Sequence, residues 1–276
     1  PAVAGAFYPA DRAELSGLVK GLLREAKDLP DGQPGSSIAA IVAPHAGYVY
    51  SGPTAAIAYS AISDRPFEQV IVAGPCHYVG TPFVALAGAD RFRTPLGELP
   101  LWELGAQRAE ALSEVIVSPE VHEREHSLEV QFPFIQLALG VDVPILPLAV
   151  GWTHPEGVAA VLRAVWQEPE TLLVISSDLS HYLSYEQAVA QDQETIGQVR
   201  RLAGPLRSDQ ACGVHPLNGL LELAPQRGLT VDLLDYRNSG DTAGDRYRVV
   251  GYTALAFSEP AGHSNEAQPG GTPEAS

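Results

Sequence analysis

One unit occurs three times in this chain: a short apolar run, a break, and then a histidine. No other feature of the sequence constrains the fold as much. In the first unit Ile38–Val42 reads as a buried strand. Pro44, which cannot donate to a ladder, ends it, and His45 follows. Gly47 lets the backbone turn tightly. Ser51 then reads as the N-cap and Pro53 as the first turn of a helix Thr54–Ser63. In the second unit Val70–Ala73 runs into Gly74-Pro75 and then Cys76-His77. In the third, Thr171–Ile175 leads through Ser176-Ser177-Asp178-Leu179-Ser180 to His181. Continuous apolar strands suit a sheet covered on both faces, and in open α/β sheets ligands bind beyond the carboxyl ends of the strands. If the three strands are parallel neighbours, His45, His77 and His181 converge on one crevice. The expected fold is a single α/β domain over residues 1–257, with a central, mostly parallel but mixed sheet flanked by helices. Residues 258–276, with almost nothing to bury, read as a disordered tail.

The remaining segments are assigned around those units. Helices are expected at Asp11–Lys27, with Leu15, Leu18, Leu22 and Leu23 on one face, and at Trp102–Leu112, Pro155–Trp166, Tyr185–Leu202 and Asn218–Ala224. Thr94-Pro95-Leu96-Gly97 reads as a hairpin turn. Short strands are expected in residues 82–88, Val115–Val117 and Val143–Val150. Val231–Tyr236 and Tyr247–Phe257 suit antiparallel strands, joined by a polar, flexible loop, Asn238–Asp245. Glu125 and Glu129 lie four apart and so share a helix face with His126 between them; Pro133 should kink or restart that helix. The functional reading of this cluster has His126 bonding substrate or metal-bound water; the plain one is a solvated helix face. His122 and His154 read as surface residues, and His263 falls in the tail.

Composition excludes several classes. With 33 Asp+Glu against 17 Lys+Arg the formal charge is −16, which argues against nucleic acid and anionic membranes as partners. There is no apolar run of about 18 residues to span a bilayer. The opening Pro1–Pro9 lacks the basic flank and apolar core of a signal peptide. Cys76 and Cys212 do not make a disulfide framework, and a cytoplasmic location is expected. Imidazole and thiolate together favour a transition metal: iron, copper or zinc. Asp178, three residues before His181, suits a group that holds a histidine in one tautomer or steers it as a base.

Pro44-His45-Ala46-Gly47-Tyr48 with Tyr50-Ser51-Gly52, Gly74-Pro75-Cys76-His77, Glu125-His126-Ser127-Leu128-Glu129-Val130-Gln131, Ser176 through Tyr182, Ala211-Cys212-Gly213, and Ser239-Gly240-Asp241 with Gly244-Asp245 and Val250-Gly251-Tyr252 occur in this order. Together they resemble the Memo family, in its prokaryotic branch, over nearly the whole chain. The resemblance implies the α/β fold of the class III extradiol dioxygenases, non-haem iron enzymes that open catechol rings. It implies a metal site of His45, His77 and Cys212, carrying iron or copper, with zinc as a further candidate. His181 matches the dioxygenase acid/base, with Asp178 as its catalytic companion. Glu125, His126, Glu129 and Tyr48 would surround the metal or the substrate. A small molecule or peptide in the cleft and a radical-SAM pathway protein are the partners it implies. The cysteine departs from the carboxylate of the dioxygenases, and a thiolate binds soft metals more tightly and is itself oxidised by oxygen chemistry. Three functions stay open: an iron- or copper-dependent oxidoreductase, a binding or scaffold protein that keeps the cleft, and a zinc hydrolase. A ligand set of His45, His77 and His181 with Cys212 as bystander is the alternative site. Cys76 adjoins His77, so a redox link between Cys76 and Cys212 is a further expectation.

Overall fold

The computed structural model describes residues 1–27 and 38–260. Residues 28–37 and 261–276, His263 among them, lie outside the described residues. In chain order the elements are α1 (Arg12–Lys27), β1 (Ile38–Ala43), α2 (Tyr48–Ser60), β2 (Gln69–Pro75), β3 (Val84–Leu86), the hairpin β4 (Arg91–Thr94) and β5 (Gly97–Pro100), and α3 (Glu103–Glu110). Next come β6 (Val115–Val117), the short helices α4 (Pro119–Glu123), α5 (His126–Glu129) and α6 (Phe132–Ala138), then β7 (Ile145–Val150), α7 (Pro155–Val165) and β8 (Thr171–Ser176). The chain ends with β9 (His181–Leu183), α8 (Tyr185–Arg200), α9 (Val214–Leu223), β10 (Thr230–Asn238) and β11 (Val249–Ser258).

The main sheet runs β10-β11-β1-β8-β2-β7-β3-β6, with β9 pairing onto β11. Its centre, β1-β8-β2-β7, is parallel. The flanking pairs β1/β11, β10/β11 and β3/β7 are antiparallel. This is the expected single α/β domain with a mixed sheet. Period-two alternation divides the apolar side chains between the two faces. Ile71, Ala73, Leu173 and Ile175 join one core with α7 and α9; Val70, Val72, Leu172 and Val174 join the other with α1, α2 and α6. Because β8 lies between β1 and β2 and pairs parallel with both, the loops after all three strands open at one edge, which meets the condition for the three histidines to converge.

Local differences have identifiable causes. α2 begins at Tyr48 after Gly47, not at Thr54, so Ser51 is no N-cap; its hydroxyl bonds the Ala46 carbonyl from inside the helix. Glu125 is not on a helix face with Glu129 but is the N-cap of α5, its side chain accepting from Ser127 N. Pro133 restarts the chain as α6, as expected. In α1, Val19 is buried while Leu18 is exposed. α9 begins at Val214, ahead of the expected Asn218. The loop after β10 is braced rather than flexible: Asn238 and Asp241 cap each other, and Gly244 N–H donates to the Ser239 carbonyl at 2.6 Å. His122 is half-buried, its Nε2 bonded to the Ala85 carbonyl at 2.8 Å, whereas His154 is exposed. No helix of the described residues is long and apolar enough to cross a membrane.

Candidate metal centre

Beyond the carboxyl ends of β1, β8 and β2 lies a cavity of about 820 Å³, lined by His45, His77, His126 and Asp178 on its inner side, by the buried Tyr252, and by Phe7, Tyr50, His181, Tyr182 and Arg248 toward its mouth. His45 and His77 pack edge to face at 5.2 Å, and His126 stacks on His77 at 4.5 Å. The donor atoms of His45, His77 and His126 all lie within 4.8 Å of one another, and so do those of His45, Asp178 and Cys212. His45 belongs to both groups.

Hydrogen-bond accounting fixes the tautomers. Ser176 Oγ has one hydrogen, donated to the Ser127 carbonyl at 2.6 Å. It also accepts from Gln131 Nε2 at 2.8 Å; that atom must be the amide N–H side because it faces the Pro44 carbonyl too. Tyr59 OH donates to the other end of the same amide. Ser176 can therefore only accept from His45 Nδ1, at 2.9 Å, so Nδ1 carries the proton and Nε2 keeps its lone pair. His77 Nδ1 faces Glu125 Oε1 at 2.8 Å. Burial pushes the Glu125 carboxyl up, but hydrogen bonds from His77 and Ser127 outweigh it and hold the pKa at about 2. An ionised carboxylate only accepts, so His77 too is protonated on Nδ1. His181 Nδ1 faces the Leu179 carbonyl at 2.8 Å, with the same consequence.

Burial keeps the rings of His45 and His126 neutral. Burial, with His77 adding to it, lowers His45 to a pKa of about 3; burial, then His45 and His77, lowers His126 to about 4. His126 Nδ1 is buried with no hydrogen-bond partner, 3.6 Å from Glu125 Oε1. Clustered imidazole nitrogens, one of them orphaned on His126, and a carboxylate behind His77 form a donor set that fits a divalent transition-metal ion.

Cys212 is held behind the cavity lining, beside His45, because Gly213, at the start of α9, packs against Ser177, with its N–H donating to Ser177 Oγ. Cys212 Sγ lies 3.2 Å from His45 Nε2 and accepts from Asp178 N–H. Burial, then Asp178, pushes its thiol pKa up, so without a cation it is a neutral S–H donor to His45. Asp178 accepts the backbone N–H of His45 at 2.8 Å and so fixes that loop rather than a histidine ring; burial raises its carboxyl. Cys76 and Cys212 are both free thiols, and burial pushes Cys76 up to about 12.

Two expected site residues lie elsewhere. Glu129 accepts from Ala2 N, Val3 N and Tyr8 OH and so ties down the N-terminal segment. Tyr48 turns its hydroxyl to the Val130 carbonyl in the core, and it is Tyr50 that lines the cavity. Ser176 and Gln131 belong to motifs of the sequence but carry no role there, and Arg248 stands outside them. Ser176 ends a strand that points at a histidine loop and Gln131 closes the Glu125–Gln131 motif, which are the available signals; for Arg248 there is none.

Fold and site together define an α/β protein with a histidine-lined crevice at the carboxyl edge of its sheet. Residues 1–256 match the family described as Memo-like protein. The chain is 38% identical over 274 residues to a MEMO1 family protein of Aquifex aeolicus, covering 93% of this chain and 98% of that one. It is 35% identical over 271 residues to one from Archaeoglobus fulgidus, with the same coverage, and 32% over 280 residues to one from Sulfolobus acidocaldarius, covering 94% and 99%. The chain belongs to the Memo family.

Proposed function

We propose that the crevice binds one transition-metal ion, iron or copper, and that the protein is a metal-dependent oxidoreductase acting on a small molecule. The observation that carries this reading is the shared tautomer of His45 and His77: both Nδ1 atoms are held by acceptors, leaving both Nε2 lone pairs to the cavity. Cys212 is the third ligand in this reading, since its 3.2 Å separation from His45 Nε2 suits two donors on one ion with bonds of about 2.0–2.3 Å. A cation there would lower the thiol pKa and release its proton. A second reading, favoured by the orphaned Nδ1 of His126, replaces Cys212 with His126.

An iron or copper ion in this crevice would supply Lewis-acid and redox chemistry to a bound substrate. The protein's own part is positioning and proton handling. Glu125 and Ser176 orient the two ligand rings. His181, exposed and with Nδ1 tied to Leu179, offers Nε2 as the base that takes a substrate proton.

Metal analysis of purified His45→Ala, His77→Ala, Cys212→Ala, His126→Ala and His181→Ala proteins tests the ligands. The first three should lose most of the metal and His181→Ala should keep it. Retention by Cys212→Ala with loss by His126→Ala would establish the all-imidazole set. Oxygen uptake with a panel of catechols tests the reaction; stoichiometric metal without turnover would replace the oxidoreductase with a binding protein that keeps the cleft.

A further inference from the structure

The mouth of the crevice differs chemically from its inner side. Among the described residues lining the cavity, Arg248 is the one permanently cationic side chain, in a chain of net charge −16. Many of the other arginines pair with carboxylates: Arg93 with Glu98, Arg108 with Glu168, Arg246 with Asp241. Arg248 has no such partner among the described residues. Its guanidinium lies over the ring of Tyr182, 5.1 Å from the centroid. The nearby carboxylate of Asp245 directs Oδ1 to the backbone N–H groups of Tyr247 and Arg248 instead.

Tyr182 is itself unusual. It has φ +60°, a left-handed conformation that a bulky residue rarely adopts, and its side chain is 63% exposed. Such backbone is retained where the surroundings over-determine it, and it concentrates at ligand-binding sites. Here the surroundings are the short pairing of β9 with β11, Leu183 opposite Val249 and His181 opposite Val250, which joins the histidine loop to the arginine strand. The loop before Arg248 is fixed by the Asn238–Asp241 cap and by Val250 N–H donating to Ser239 Oγ. A guanidinium held over an aromatic face, its donors not taken up by protein, is pre-organised for a planar oxyanion. Phe7, Tyr50 and Tyr252 supply apolar, flat walls between it and the histidines.

We infer that Arg248 and Tyr182 form a specificity clamp, and that the ligand of this crevice is a planar, aromatic molecule carrying one oxyanionic group, a carboxylate or phosphate, which Arg248 binds at the mouth while the ring reaches toward the histidines. This rests on the reading of the crevice as a metal-binding ligand site, and its test separates the two. Calorimetric titration of the purified, metal-analysed protein with 2-naphthoate, 2-naphthamide and 2-naphthyl phosphate reads the clamp directly. The wild type should bind the carboxylate roughly tenfold or more tightly than the amide, a difference appropriate to a charge-assisted hydrogen bond. Arg248→Gln should abolish that preference while leaving amide affinity and metal content unchanged. Tyr182→Ala should weaken both carboxylate and amide. The phosphate arm decides the source of the oxyanion: tighter binding than the carboxylate assigns a phosphate ester, weaker binding a carboxylic acid. Equal affinity of wild type for carboxylate and amide overturns the clamp. So does a preference that survives Arg248→Gln and disappears with the metal, because the carboxylate would then sit on the ion. A preference that depends on Arg248 in protein without metal leaves the clamp standing and removes the metal reading.

Discussion

The inner side of the crevice and its mouth are built on opposite principles. His45 is 2% exposed, and its ring and that of His77 are held by a connected set of bonds through Ser176, Gln131, Tyr59, Ser127 and Glu125, with His126 stacked on His77. At the mouth, His181 and Tyr182 are exposed and depend on a three-residue strand paired at the margin of the sheet. The contrast separates two tasks. In the proposed reading, holding an ion requires rings that cannot turn, and the Nδ1 atoms of His45 and His77 are both bonded from behind. Taking in ligands requires accessible groups, and those are necessarily the less buried ones.

The largest expected effect is Glu125→Ala. It leaves His77 Nδ1, His77 N–H and Ser127 N–H without their acceptor. Urea denaturation should show a loss on the order of 3 kcal/mol, and metal affinity should fall about 10- to 100-fold. A stable, metal-replete variant would break the comparison at its strongest point.

Next is acid sensitivity of the metal-free protein. His45 and His126 have folded pKa values of about 3 and about 4, below their ordinary value of 6.5. Between those limits the unfolded chain binds more protons than the folded one, so stability rises with pH. It is fully present above 6.5 and is lost as pH falls, by at most about 1.4 kcal/mol per pH unit for each histidine. Thermal melts from pH 7 to pH 4 should show the decline, and His126→Gln should flatten it.

Ser176→Ala should cost about tenfold in metal affinity by freeing the His45 ring. Nitrogen chemical shifts of the histidine rings should then report a mixture of tautomers in place of the single Nδ1–H form. Tyr182→Gly, at the mouth, should change stability by no more than about 1 kcal/mol, in the stabilising direction, because glycine accepts the left-handed backbone. His181→Ala should be smallest of all, within about 0.5 kcal/mol, as expected for an exposed side chain. A large loss in either mouth variant would mean that the two regions are one cooperative unit.

The arrangement of the inner side was legible because it depends on strand periodicity. Continuous apolar runs ending at Val42, Ala73 and Ile175 suit central strands of a covered sheet, and the parallel pairing of β1, β8 and β2 brings their carboxyl ends together. Glu125 and Glu129 misled because equal spacing on a helix was assumed, whereas Glu125 precedes α5 and its side chain folds over the N-terminus. Glu129 was drawn to a segment more than a hundred residues away, which no local pattern reveals. Ser51 looked like a cap because proline two residues on fits a first turn, yet Tyr48 already starts the helix, with its N–H bonded to the Phe7 carbonyl. The mouth was the least legible part, since cation–π pairing and left-handed backbone are products of tertiary contact.

The contact between Cys212 and His45 joins positions 167 apart in the chain. Contacts of such separation form only after most loop-closure entropy has been overcome, and so belong to the late stages of folding. During synthesis His45 and His77 leave the ribosome long before Cys212 does. An ion captured at that stage has two imidazoles at most from these three groups, and the third arrives only with the closing of α9 onto the sheet. If the proposed ion is bound through these three groups, its retention would act as a built-in proofreading of the finished fold: truncated or half-folded copies would have a weaker grip on it.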